Sequence, residues 1–179
     1  MVCNDIRINI MTKTQSLMAS LRIIGASCIS VIDMAAQCNS QWAPGESFPG
    51  VDGEVYAMVE WDPDGAGPIS PRLVVGGSFT IAGGVVASNI ATLDRQTGAW
   101  APLGSGTSGA VRSLCVMPDG SLAVGGDFAT AGGGPVANIA RWNGSSWLSI
   151  AGGTNGRVSA LTVLANGDLV AGGSFTSAG

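Results

Sequence analysis

The side chains that could do chemistry are few, and they lie near turns. Asp62-Pro63-Asp64-Gly65, with Glu60 just before it, is the one local group of carboxylates. Hard oxygen ligands at alternating positions beside a glycine could hold Ca²⁺, although the further acidic positions of an EF-hand loop are missing. The same residues also spell a tight turn, in which Pro presets φ and Asp bonds back to the backbone. Both readings stand, with Glu60, Asp62 and Asp64 as the calcium candidates. There is no His in the chain, which removes His-based triads, and no Cys/His spacing suits zinc. The stretches GGSFTIAGG and GGDFATAGGG lack the Lys of a phosphate loop. Asp119, Asp127 and Asp168 are separate turn residues and do not form the paired acid and base of a glycosidase. The sequence therefore nominates no catalytic residue and no cofactor.

Aromatic side chains give a second set of candidates. Trp42, Trp100 and Trp147 recur at equivalent places, which points to packing between repeated units. Trp61 and Trp142 do not recur, because Met117 and Leu93 stand where they would. A non-repeating aromatic near a loop is the natural candidate for ligand contact, so Trp61 and Trp142 carry that expectation.

What positions these residues is a repeat. Gly76-Gly77-Ser78-Phe79 returns as Gly125-Gly126-Asp127-Phe128 and as Gly172-Gly173-Ser174-Phe175, at offsets of 49 and 47 residues. Segments 109–128 and 156–175 align without a gap. A period near 50 built from short strands marks a stacked architecture, in which each unit needs neighbours to bury its faces. The second copy is the clearest. Val111 to Met117 is an apolar run, Pro118-Asp119-Gly120 a turn, and Ser121 to Gly126 a second strand. A Gly/Ala loop follows, then Asn138 to Trp142, the hairpin dipeptide Asn143-Gly144, and Ser146 to Ile150. Asn166-Gly167-Asp168 repeats the turn in the third copy. In the first copy the strands are about 54–60, 72–77, 89–93 and 99–103. Four antiparallel strands per repeat is the content of a β-propeller blade.

The double Gly after an apolar run, followed by the Asp94…Trp100 turn and strand, resembles a kelch repeat, the blade type of the central domain of galactose oxidase. The likeness spans residues 40–179. Here Phe follows the double Gly closely, where kelch repeats usually place a Tyr further along. The chain also resembles the Gly-rich propeller repeats of secreted bacterial proteins. The resemblance implies a fold and carries no catalytic residue. The copper site of galactose oxidase has no counterpart, since the chain has no His and one Tyr, Tyr56.

Composition fits an exported β protein. Charged residues are 11% against 46% hydrophobic, and glycine is 28 of 179, placed between β-prone runs and not in a linker. Past residue 36, five arginines face ten carboxylates, and the single lysine is Lys13. No basic stripe exists, which argues against nucleic acid and against an anionic membrane surface. Residues 1–22 carry Arg7, Lys13 and Arg22; residues 23–32 are apolar; Ala35-Ala36-Gln37 follows. That order describes a signal peptide or N-terminal hydrophobic leader over 1–36, with an apolar run too short to span a bilayer. Cys38 and Cys115 would remain after cleavage. A disulfide between them and a small buried thiol at Cys115 are both open.

These observations predict an all-β chain: after the leader, a partial β-propeller over 37–179, of about two and a half four-stranded blades in an open arc. Blade 1 covers about 54–103, blade 2 about 110–150, and a partial blade 3 about 157–179, with Trp42 on an orphan strand before them. The expected function is that of a secreted, non-catalytic repeat module for protein or glycan interaction, a fragment of a larger protein. The alternatives are a fragment of an extracellular enzyme and a lectin-like carbohydrate binder. No nucleic acid partner and no integral span in the mature chain are expected, and open blade edges predict self-association.

Overall fold

A computed structural model describes residues 50–179, residue 66 excepted. The expectations for the leader, the cleavage site, Cys38 and the Trp42 strand lie outside the described residues. The described chain is all-β, with no helix, and contains fourteen short strands. In the first repeat β1 is Glu54–Trp61, β2 Arg72–Ser78, β3 Ile81–Ala82, β4 Val85–Val86, β5 Ile90–Leu93 and β6 Trp100–Pro102. The second repeats this pattern as β7 Val111–Val116, β8 Leu122–Gly126, β9 Thr130–Ala131, β10 Gly134–Pro135, β11 Ile139–Trp142 and β12 Trp147–Ser149. In the third, β13 is Arg157–Val163 and β14 Leu169–Ser174.

The longer strands form antiparallel sheets in the orders β1-β2-β5-β6 and β7-β8-β11-β12, with β13-β14 as a two-stranded third. The sheets stack, so that the edge strand β7 packs against β1 on one side and β13 on the other. Apolar side chains on both faces of the middle sheet make this stacking favourable. Val74, Ile90, Val111, Leu122, Val124 and Val158 are fully buried.

The predicted strands and turns recur at their places. Gly120 and Gly167 take the left-handed backbone at φ 80° and 90°. Their amides donate to Met117 and Leu164 carbonyls, each at 2.9 Å. The Gly/Ala loop, by contrast, is a small hairpin in its own right, β3-β4 and β9-β10. Its turn is a Gly-Gly pair with both φ positive, Gly83-Gly84 and Gly132-Gly133. Such a pair is the turn a two-residue hairpin requires, but strands of two residues are too short to show alternation.

Identical geometry is reached with different side chains in the segment leading into each repeat. Asp52, Ser108 and Asn155 each accept two backbone N–H groups just after the Gly-Gly-x-Phe motif, where the small hairpin starts in the first two repeats, at distances of 2.8 to 3.1 Å. Neighbouring sheets are then latched by Asn89 and Asn138, whose side-chain amides donate to the carbonyls of Thr107 (2.8 Å) and Thr154 (3.0 Å). Both asparagines sit at positive φ, 65° and 68°, which Asn tolerates better than most residues.

The Asp52 cap makes stability pH-dependent. The Thr80 hydroxyl, followed by the Ile81 and Thr80 amides, holds the Asp52 carboxyl below its ordinary 3.8. The Ser121 hydroxyl does the same to Asp119, and the Thr97 and Gln96 amides to Asp94. A depressed carboxylate stabilises the fold above its unfolded pKa and loses that contribution as pH falls through the folded value. The thermal midpoint is therefore expected to hold steady near neutrality and to fall below about pH 4. Asp52→Asn, which keeps an acceptor as Asn155 does, should flatten that fall. A midpoint that falls identically in both proteins would rule out the Asp52 contribution.

Candidate functional site

The structure puts the two non-repeating tryptophans in the core. Trp61 ends β1 at 4% exposure, and its indole N–H donates to the Gly120 carbonyl at 2.8 Å, tying the first sheet to the turn of the second. Trp142 ends β11 at 7% exposure, its ring centroid 5.2 Å from that of Trp147. Both rings are packed in the core between the sheets, so any ligand contact is confined to their rims. Their rims border a small cleft of ≈ 200 Å³ with Pro63, Arg72 and Leu103. The repeating pair, Trp100 and Trp147, is only half-buried. These rings lie over the hairpin glycines Gly83 and Gly132, where a Cβ would collide with the indoles.

Glu60, Asp62 and Asp64 are not brought together around a common point. Glu60 pairs with Arg95 at 3.1 Å, with both side chains more than half exposed. Asp62 accepts the Asp64 amide at 3.3 Å, and Asp64 accepts the Ile69 amide at 3.0 Å. Asp62 and Asp64 thus each accept a backbone amide within the turn that they spell. Among the described residues no group of three or more His, Cys, Asp or Glu side chains could hold a metal ion. Cys115 is half-buried on β7.

A row of non-identical residues marks the stacked edge strands. Each of β1, β7 and β13 carries a bulge at the same point, between Val55 and Ala57, Val111 and Ser113, and Val158 and Ala160. The extra residues are Tyr56, Arg112 and Ser159. A bulge re-aims a side chain and is a feature of binding edges. The Arg112 guanidinium lies over the Tyr56 ring, 4.7 Å from its centroid, a cation–π contact between the sheets. The Tyr56 hydroxyl donates to Glu54, which together with slight desolvation raises its pKa above 10.0. Among the described residues Arg112 Nε is buried without a hydrogen-bond partner. Sequence reasoning missed Tyr56 and Arg112 as a pair. Aligning the residue that follows Val55, Val111 and Val158 in the three first strands would have found them.

A broader open depression of ≈ 740 Å³ lies beside the second sheet, lined by Ser108, Asp127, Phe128, Pro135 and Asn138, among others. Asp127 is the one carboxylate among its lining residues. A single carboxylate can accept hydrogen bonds from a ligand, but two-acid chemistry needs a partner across the cleft. Among the described residues no helix is long and apolar enough to cross a membrane. No family model, curated protein or solved structure matches the chain.

Proposed function

We propose that the chain is an exported, non-catalytic β-propeller repeat module, an open arc of blades that serves in protein or glycan recognition. The observation that carries this reading is a junction built twice in the same way. Val111 and Leu114 seat against Gly76, and Val158 and Leu161 seat against Gly125, so one sheet's glycine receives the next sheet's apolar pair. Stacking of four-stranded sheets through a repeated contact is how blades form a propeller. On this regular scaffold the Tyr56, Arg112 and Ser159 row differs from unit to unit, which gives the edge its recognition chemistry. Aromatic and guanidinium groups together suit sugar rings, carboxylates and peptide side chains.

The test is retention of the full chain on arrays of glycans and peptides. A subset of one class is expected to bind, and Tyr56→Ala and Arg112→Ala each to weaken it about tenfold with the β spectrum unchanged. Binding that ignores both substitutions would refute the site, and turnover of an arrayed glycan would favour an enzyme fragment. Export with loss of the leader near Ala36-Gln37 belongs to the same reading. Protein recovered outside the cytoplasm should begin close to Gln37. Recovery only from the cytoplasm with Met1 intact would count against it.

A further inference from the structure

The two end sheets carry the two halves of the junction that the chain builds twice inside itself. Val55, Val111 and Val158 are equivalent, since they pair with Gly77, Gly126 and Gly173, the second glycine of each doublet. Met58, Leu114 and Leu161 stand three residues further on. In the two internal junctions this Val and Leu fill the space above Gly76 and Gly125. Val111 and Val158 are fully buried there, whereas Val55 is 41% exposed and Met58 63%. At the other end, a Cβ on Gly172 would meet nothing within 4 Å. Val170 and Leu164, on the same face as Gly172, are 43% and 49% exposed, although Val74, at the position of Val170, is fully buried. One end thus presents the knobs and the other the socket.

Charge is arranged the same way. Glu54 and Arg157 are equivalent positions, one residue before the knobs, paired with Ser78 and Ser174. In the first internal junction the equivalent bulge residues Tyr56 and Arg112 lie against each other, and β7 packs against both β1 and β13, so the same stacking would set Glu54 of one copy beside Arg157 of the next.

We infer that a second copy of this chain docks head to tail, its Val55 and Met58 seated against Gly172, Val170 and Leu164. The inference rests on the stacked-repeat reading above and adds the occupant of its end faces. Such a contact is heterologous, and it closes into a ring or extends as a filament according to the rotation per copy.

Sedimentation of the full 179-residue chain over a wide concentration range tests it. Wild type is expected to associate reversibly. Met58→Glu and Gly172→Val are each expected to raise the dissociation constant at least ~tenfold, since each blocks the centre of the interface. An equimolar mixture of the two variants has one intact junction per pair and should form a one-to-one dimer. Like-with-like pairing of strand edges would not give that result. Association that survives either substitution overturns the inference, and so does a mixture that stays monomeric. A wild type that stays monomeric across the concentration range also overturns it. In that last case the repeat-module reading stands, because binding on the arrays is read independently.

Discussion

Gly125→Val is expected to destabilise the chain by about 1–3 kcal/mol or more, the usual cost of overpacking a filled core, while Gly172→Val, measured at a concentration where the chain is monomeric, leaves stability unchanged or slightly higher. The two glycines occupy the same place in the same motif, and neither has a positive φ. What differs is the neighbour. At Gly125 a Cβ would stand 2.6 Å from Val158 Cγ1 and 3.1 Å from Leu161 Cδ1. Val158 is fully buried and β-branched, so it has no free rotamer to turn into. At Gly172 the space is open, and a β-branched residue suits a strand better than glycine does. Urea midpoints of the two variants against wild type decide the matter. Equal losses at both positions would mean that the glycines serve strand geometry and not the close approach of stacked sheets.

Legibility in the sequence followed element length and repetition. The eight longer strands of the first two repeats fall within a residue or two of their expected places, because turns such as Pro118-Asp119-Gly120 fix φ locally and the offset of 47 checks one copy against another. The β3-β4 and β9-β10 hairpins were legible only in their Gly83-Gly84 and Gly132-Gly133 turns. Their two-residue strands are held by bridges from Val51 and Thr107, which lie outside the hairpins themselves. The site was less legible. Non-repetition singled out Trp61 and Trp142, but whether an aromatic faces solvent depends on which sheet comes to lie over it. That is a tertiary fact, and it buried both. The pairing of Tyr56 with Arg112 arises from two bulges in sheets 56 residues apart in sequence, a proximity no local pattern announces.

Trp61→Ala should cost more than Trp147→Ala, about 3–5 kcal/mol for a large aromatic removed from a packed site. Two terms contribute, and their sizes differ. The hydrogen bond from the indole to Gly120 O is worth about 0.5–1.5 kcal/mol net, and its acceptor sits in an exposed turn where water can replace the donor. The ring itself belongs to the buried cluster that also holds Val74, Ile90, Leu103, Val111 and Trp142, and its removal would leave a cavity there. Packing therefore dominates. Trp61→Phe, which keeps an aromatic ring but loses the donor and part of the bicycle, should cost clearly less than Trp61→Ala, a hydrogen bond of about 0.5–1.5 kcal/mol adding to a smaller cavity. Trp147→Ala should fall below Trp61→Ala, since Trp147 is half-buried over the glycines of a surface hairpin. Urea unfolding followed by circular dichroism ranks the three. If Trp61→Phe proves as damaging as Trp61→Ala, the bond to Gly120 and not the buried ring is what joins the first sheet to the second.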